Sequence, residues 1–191
     1  MAAKYGLPES TDPEGFDPYR DSVGAGIYSG SVKRNPTTGE VIIGKQYQNH
    51  NPRPGPVYDG GGYSLMAKAI QAGPDTVKRL LGDFPELASE VSTGGATPLH
   101  TCGMSRRGEQ STQTLIDAGA DIEALDTYGY TPLHRMASNN LAIGFEALRK
   151  AGADIRRATE APYPGSTPLL IAQQAHATAV LDVIRKFENS N

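Results

Sequence analysis

Gly95-Ala96-Thr97-Pro98-Leu99-His100 returns as Gly129-Tyr130-Thr131-Pro132-Leu133-His134, and a third copy reads Gly165-Ser166-Thr167-Pro168-Leu169-Leu170. The three threonines lie 34 and 36 residues apart. Self-similarity at a fixed spacing of about 33 residues marks a stacked repeat architecture. A second signature keeps the same phase: Ala118-Gly119-Ala120-Asp121-Ile122 recurs as Ala151-Gly152-Ala153-Asp154-Ile155. The residue types explain the local structure. Thr offers its side-chain oxygen to the free N–H groups of a first helical turn. Pro occupies that turn, where its missing N–H costs nothing, and Leu faces the core. Gly119 and Gly152 fall where a second helix ends and a left-handed residue is wanted. Each unit therefore reads turn, helix, turn, helix, and it cannot bury its apolar face without neighbours.

Carried by these two phased motifs, the chain from about residue 63 to 191 resembles the ankyrin-repeat family. The resemblance implies an all-α repeat solenoid of about four helix-turn-helix units: a degenerate unit at 63–91, clear repeats at 92–125 and 126–158, and a capping repeat at 162–191. The first unit lacks the Thr-Pro-Leu-His motif. It keeps an amphipathic spacing instead, with Leu65, Met66, Ala69 and Ile70, then Val77, Leu80 and Leu81. Phe84-Pro85-Glu86-Leu87 stands where Gly-Ala-Asp is usual. The last unit has Leu170 in place of His and ends in a charged helix from Asp182 to Glu188, as a terminal cap meeting water requires. Thr159-Glu160-Ala161 reads as a short insertion lengthening the final finger loop.

The histidines are the tempting catalytic residues. The resemblance implies that Thr97, Pro98, Leu99 and His100, with Thr131, Pro132, Leu133 and His134 and the partial set Thr167, Pro168 and Leu169, are structural, each His fixing its turn through backbone hydrogen bonds. His100 and Cys102 have a His-x-Cys spacing, but two ligands without a second pair make a poor zinc site. Cys102 falls where the family places a small buried Ala, so it reads as a core thiol. Gly24-Ala25-Gly26 and Gly60-Gly61-Gly62 lack the downstream residues of a phosphate-cradling loop, and no Gly-x-Ser-x-Gly elbow occurs. The chain is expected to be no enzyme and to use no metal and no cofactor.

Binding surfaces follow from the resemblance, since ankyrin arrays engage partners through finger tips and the concave face of the first helices. That places Thr127, Tyr128, Tyr130 and Tyr163 on fingers and Met104, Ser138 and Asn139 on the helical face. Tyrosines anchor interfaces because they bury large area at low entropic cost. Arg106, Arg107, Arg135, Arg156 and Arg157 make either a modest basic strip or a solvated face.

Residues 1–62 have a different grammar, crowded with Gly and Pro and without helical period. They still carry Tyr5, Phe16, Tyr19, Tyr28, Tyr47 and Tyr58, unlike a plain flexible linker. This stretch reads as an extended arm shaped to lie against a partner, with a β-hairpin predicted over 33–43. Gly15-Phe16-Asp17-Pro18 is similar to a stretch near the start of light-harvesting chlorophyll proteins, although Tyr19-Arg20 follows instead of Leu-Gly. That resemblance implies a plastid, photosystem-associated peripheral subunit as a minor alternative.

Net charge is −3 with both signs interspersed, which argues against a dominant nucleic-acid or anionic-membrane partner. One cysteine makes no internal disulfide, pointing to a reducing, intracellular compartment. No apolar run approaches the roughly 20 residues of a membrane span, so the chain reads as soluble or peripheral, in the cytosol by default or in an organelle if a transit peptide was removed. The leading expectation is a structural accessory subunit binding one or more proteins, a multi-subunit and even membrane-bound complex included. Its arm would order on a partner. The alternative is a soluble adaptor binding a peptide or enzyme through its fingers.

Overall fold

The computed structural model describes residues 2–7, 65–91, 96–126, 128–160 and 164–189. Among them are eight α-helices and no strand. The helices come in pairs: α1 (Leu65–Ala72) with α2 (Pro74–Asp83), α3 (Pro98–Cys102) with α4 (Thr112–Asp117), α5 (Pro132–Ser138) with α6 (Ala142–Lys150), and α7 (Pro168–Gln174) with α8 (Thr178–Asn189). Short 3-10 turns at Pro85–Ser89 and Gly108–Ser111 complete the first two units. First helices stack on first helices, α1 on α3 on α5 on α7, and second helices stack likewise. The result is an all-helical repeat solenoid. The predicted hairpin at 33–43 lies outside the described residues.

Helices of five to seven residues are far too short to persist alone in water, so the stacking holds them. Leu99, Leu133, Met136, Phe145 and Leu148 are fully buried in one continuous apolar core. Each such side chain contributes about 2 kcal/mol on leaving water. Pro98, Pro132 and Pro168 all begin their helices. Gly119 and Gly152 have φ of 82° and 100°, left-handed values that a β-carbon would strain.

Two links tie one unit to the next through helix N-termini. The buried Glu109 carboxylate accepts the N–H groups of Ile143 and Gly144 at 2.9 and 3.1 Å. The Asn140 side-chain oxygen accepts the N–H of Val180 at 3.2 Å. Each satisfies donors that a helix start leaves free.

The first residues of the chain also join the array. Ala2–Tyr5 forms a 3-10 turn against α2, and Tyr5 and Leu7 are buried within the core cluster. The Tyr5 hydroxyl donates to Asp83 Oδ2 at 2.7 Å, Lys4 pairs with the same oxygen at 2.9 Å, and Arg79 donates to the Tyr5 carbonyl at 3.3 Å. The Tyr5 hydroxyl and the Lys4 ammonium hold the Asp83 carboxyl below the usual range. This hook covers the side of α1 and α2 on which, among the described residues, no other helix pair stacks.

Candidate functional site

The finger roots are built from the histidine motif. His100 Nδ1 accepts the N–H of Thr97 at 3.1 Å, and His134 Nδ1 accepts that of Thr131 at 3.0 Å. A nitrogen that accepts from a backbone N–H carries no proton, so each neutral ring is protonated at Nε2. Nε2–H then donates one repeat onward, His100 to the Tyr130 carbonyl at 2.8 Å and His134 to the Ser166 carbonyl at 3.0 Å. The histidines therefore fix their own turn and the root of the next finger together. Burial pushes the His100 imidazole down to about 4 and lowers that of His134, which keeps both in the required neutral form. At Leu170 the described chain has no following finger to receive such a bond, and the side chain is 38% exposed.

On this base sits a cluster around Arg135. Its guanidinium donates through Nε and Nη2 to Asp126 Oδ2 at 2.9 and 2.6 Å. It also lies over the rings of Tyr130 and Tyr128, 4.5 and 5.3 Å from their centroids. The other Asp126 oxygen accepts the N–H groups of Tyr128 and Tyr130 at 2.8 and 3.1 Å. Tyr130 stacks on His134 with centroids 5.6 Å apart. Tyr128 and Tyr130 are thus half-buried and held in place, each with one side spent on Arg135. Because their side chains are already ordered, a partner would lose little rotamer freedom in binding them.

Met104, 40% exposed, and the exposed Ser138 lie at the ends of successive first helices. Asn139 is exposed, but its amide donates to the Gly103 carbonyl at 2.8 Å and so ties α5 to the unit before it. Gly103 leaves room for that approach; a Cβ there would stand 2.6 Å from Arg135 Cβ. Thr127, Tyr163, Phe16, Tyr19, Tyr28, Tyr47 and Tyr58 lie outside the described residues, as does the Gly15–Pro18 stretch. The arginines divide: Arg135 and Arg157 are bound to carboxylates, Arg157 to Glu123 and Glu160, while Arg106, Arg107 and Arg156 are exposed.

The residues that carry chemistry are quiet. Cys102 is fully buried and burial pushes its thiol up to about 12, far from a nucleophile at neutral pH. Among the described residues no group of three His, Cys, Asp or Glu side chains could hold a metal ion. No described helix is long and apolar enough to cross a membrane. Sequence reasoning missed the Asp126 anchor and the Tyr5 hook.

Residues 65–159 match the family model described as ankyrin repeats, in three copies. The Neurogenic locus Notch protein of Drosophila melanogaster is 29% identical over 117 residues, covering 59% of this chain and 4% of that protein. The likeness therefore spans a small part of that relative's length. Phased motifs, paired helices stacked in two rows and the family match agree: the chain belongs to the ankyrin-repeat family, whose repeats form protein–protein interaction modules.

Proposed function

We propose that the protein is a non-catalytic accessory subunit that holds a partner protein on its finger roots and the adjoining ends of its first helices. The observation that supports this is the Asp126–Arg135–Tyr128–Tyr130 cluster. Two tyrosines and an arginine, the residue types that dominate interface hot spots, are immobilised beside the exposed Met104 and Ser138. The aromatic residues of the segment before residue 63 add a second contact along the same complex. The partner surface is expected to offer an apolar or planar group to the tyrosines.

A soluble adaptor is the second reading, favoured by one observation: the chain's first residues fold back on its own repeats through Tyr5 and Asp83. The two readings share the finger site. The test is binding of a partner, recovered with the intact chain, to a Tyr128→Ala/Tyr130→Ala variant whose circular dichroism is unchanged. Loss of about tenfold or more in affinity, the scale of one hot-spot truncation, supports the site. Undiminished binding refutes it.

A further inference from the structure

Two successive finger turns in this array stack through a polar contact. Where the third unit follows the second, the Asp154 N–H donates to Glu123 Oε1 at 2.7 Å. The Arg157 guanidinium reaches both the Glu123 carbonyl at 3.0 Å and its Oε2 at 2.9 Å. Ile155 of the incoming turn packs, partly buried, against the core. An aliphatic residue and a charged residue two positions later thus dock one finger on the one before.

One repeat on, Ile155 takes the place of Ile122 and Arg156 takes the place of Glu123. Among the described residues no further turn stacks there. A cavity of about 420 Å³ opens instead, floored by Ile155, Leu169, Ile184 and Phe187, within the range of sites that hold ligands. Arg149 on its wall is spent, donating to the Ala153 carbonyl and lying over the Phe187 ring. Two carboxylates also line it, Asp154, which takes the Arg156 backbone N–H at 2.8 Å, and Glu188 on α8. The Arg156 guanidinium is exposed and makes no hydrogen bond or ion pair among the described residues.

We propose that this cavity receives a finger-like turn from a partner protein, with an aliphatic side chain on the apolar floor and an acidic residue two positions later on Arg156. The internal junction supplies the geometry, and the exchange of Glu123 for Arg156 inverts the charge the visitor must carry. A second copy of this chain is the wrong visitor, because its own turn would set Arg157 against Arg156. The surface is separate from the tyrosine cluster and does not depend on it.

Two cyclised peptides test this against the isotope-labelled full chain. One reproduces Ala151-Gly152-Ala153-Asp154-Ile155-Arg156-Arg157-Ala158, and the other carries Arg157→Glu. Cyclisation holds the turn, so that little ordering is lost on binding. The Arg157→Glu peptide should shift the amides of Ile155, Ile184 and Phe187 saturably and bind about threefold or more tighter than its parent, the scale of an exposed ion pair. In an Arg156→Glu protein the order should reverse. Equal affinity for both peptides in both proteins overturns the charge assignment. Shifts confined to Tyr128–Arg135, or no saturable shift at the solubility limit, overturn the site.

Discussion

Replacing Asp126 by Ala removes an acceptor that four donors converge on. Its side chain is fully buried and that of Arg135 is 14% exposed. The substitution leaves the guanidinium without its carboxylate and two backbone N–H groups, of Tyr128 and Tyr130, without partners. Breaking a buried pair from one side costs about 3–5 kcal/mol. Asp126→Asn keeps an oxygen for the backbone groups but loses the charge, so about 1–3 kcal/mol is expected. Urea denaturation followed by circular dichroism measures both. A cycle with Arg135→Met separates the pair from the backbone bonds: the double variant should be less destabilised than the sum by about 1.5 kcal/mol or more, since removing both charges leaves none stranded. An Asp126→Ala cost below about 1 kcal/mol, or additivity within about 0.5 kcal/mol, would refute the claim that this pair organises the finger.

Tyr5→Phe should cost about 1 kcal/mol through the lost bond to Asp83, and amide exchange should speed up in α1 and α2 while α5 to α8 stay protected; uniform loosening would contradict a local hook. Acid should destabilise the array through its histidines: the folded value of His100, about 4, lies below the ordinary 6.5, so between those pH values the unfolded chain binds the proton first and stability falls as pH drops. The loss is up to about 1.4 kcal/mol per pH unit across that window, and urea midpoints at several pH values that rose on acidification would contradict it. Gly129→Ala should be among the costliest glycine substitutions, about 2 kcal/mol or more, because φ is 72° and a Cβ would stand 2.5 Å from the Glu160 carbonyl oxygen; a thermal melt decides it. Cys102, buried with its thiol at about 12, should resist thiol reagents at pH 8 until denaturant is added, and rapid labelling of the folded chain would show the core is open there.

The fold was readable because its determinants are local and repeated. Thr, Pro and Gly act within one turn of themselves, so Thr131-Pro132 and Gly152 announce helix starts and stops wherever they stand. The two phased motifs multiply that signal. The degenerate first unit was readable only through its apolar spacing, since its turn runs through a 3-10 segment at Pro85–Ser89 rather than through a Gly-Ala-Asp turn.

The candidate site was less legible. Tyr128 and Tyr130 announce themselves by type, but their orientation depends on Arg135, which the sequence offers as one of five exposed arginines. Its commitment to Asp126 appears only once the finger folds back. The Tyr5–Asp83 bond joins residues 78 apart with no periodic relation, and nothing in a linear pattern announces it. Glu109 illustrates an intermediate case. Its targets Ile143 and Gly144 lie one repeat onward, so the contact repeats the lattice of the array, yet Glu at that position looks like any surface acid until the helix above it is placed.

The most direct test is site-specific photo-crosslinking in cells from four positions of the full chain. Met104 and Ser138 lie on the proposed binding face, and Lys150 and Arg185 are exposed on the second helices. Adducts to one common protein from Met104 and Ser138, absent from Lys150 and Arg185, are predicted. Adducts confined to Lys150 or Arg185 would place the partner on the opposite row of helices and contradict the account.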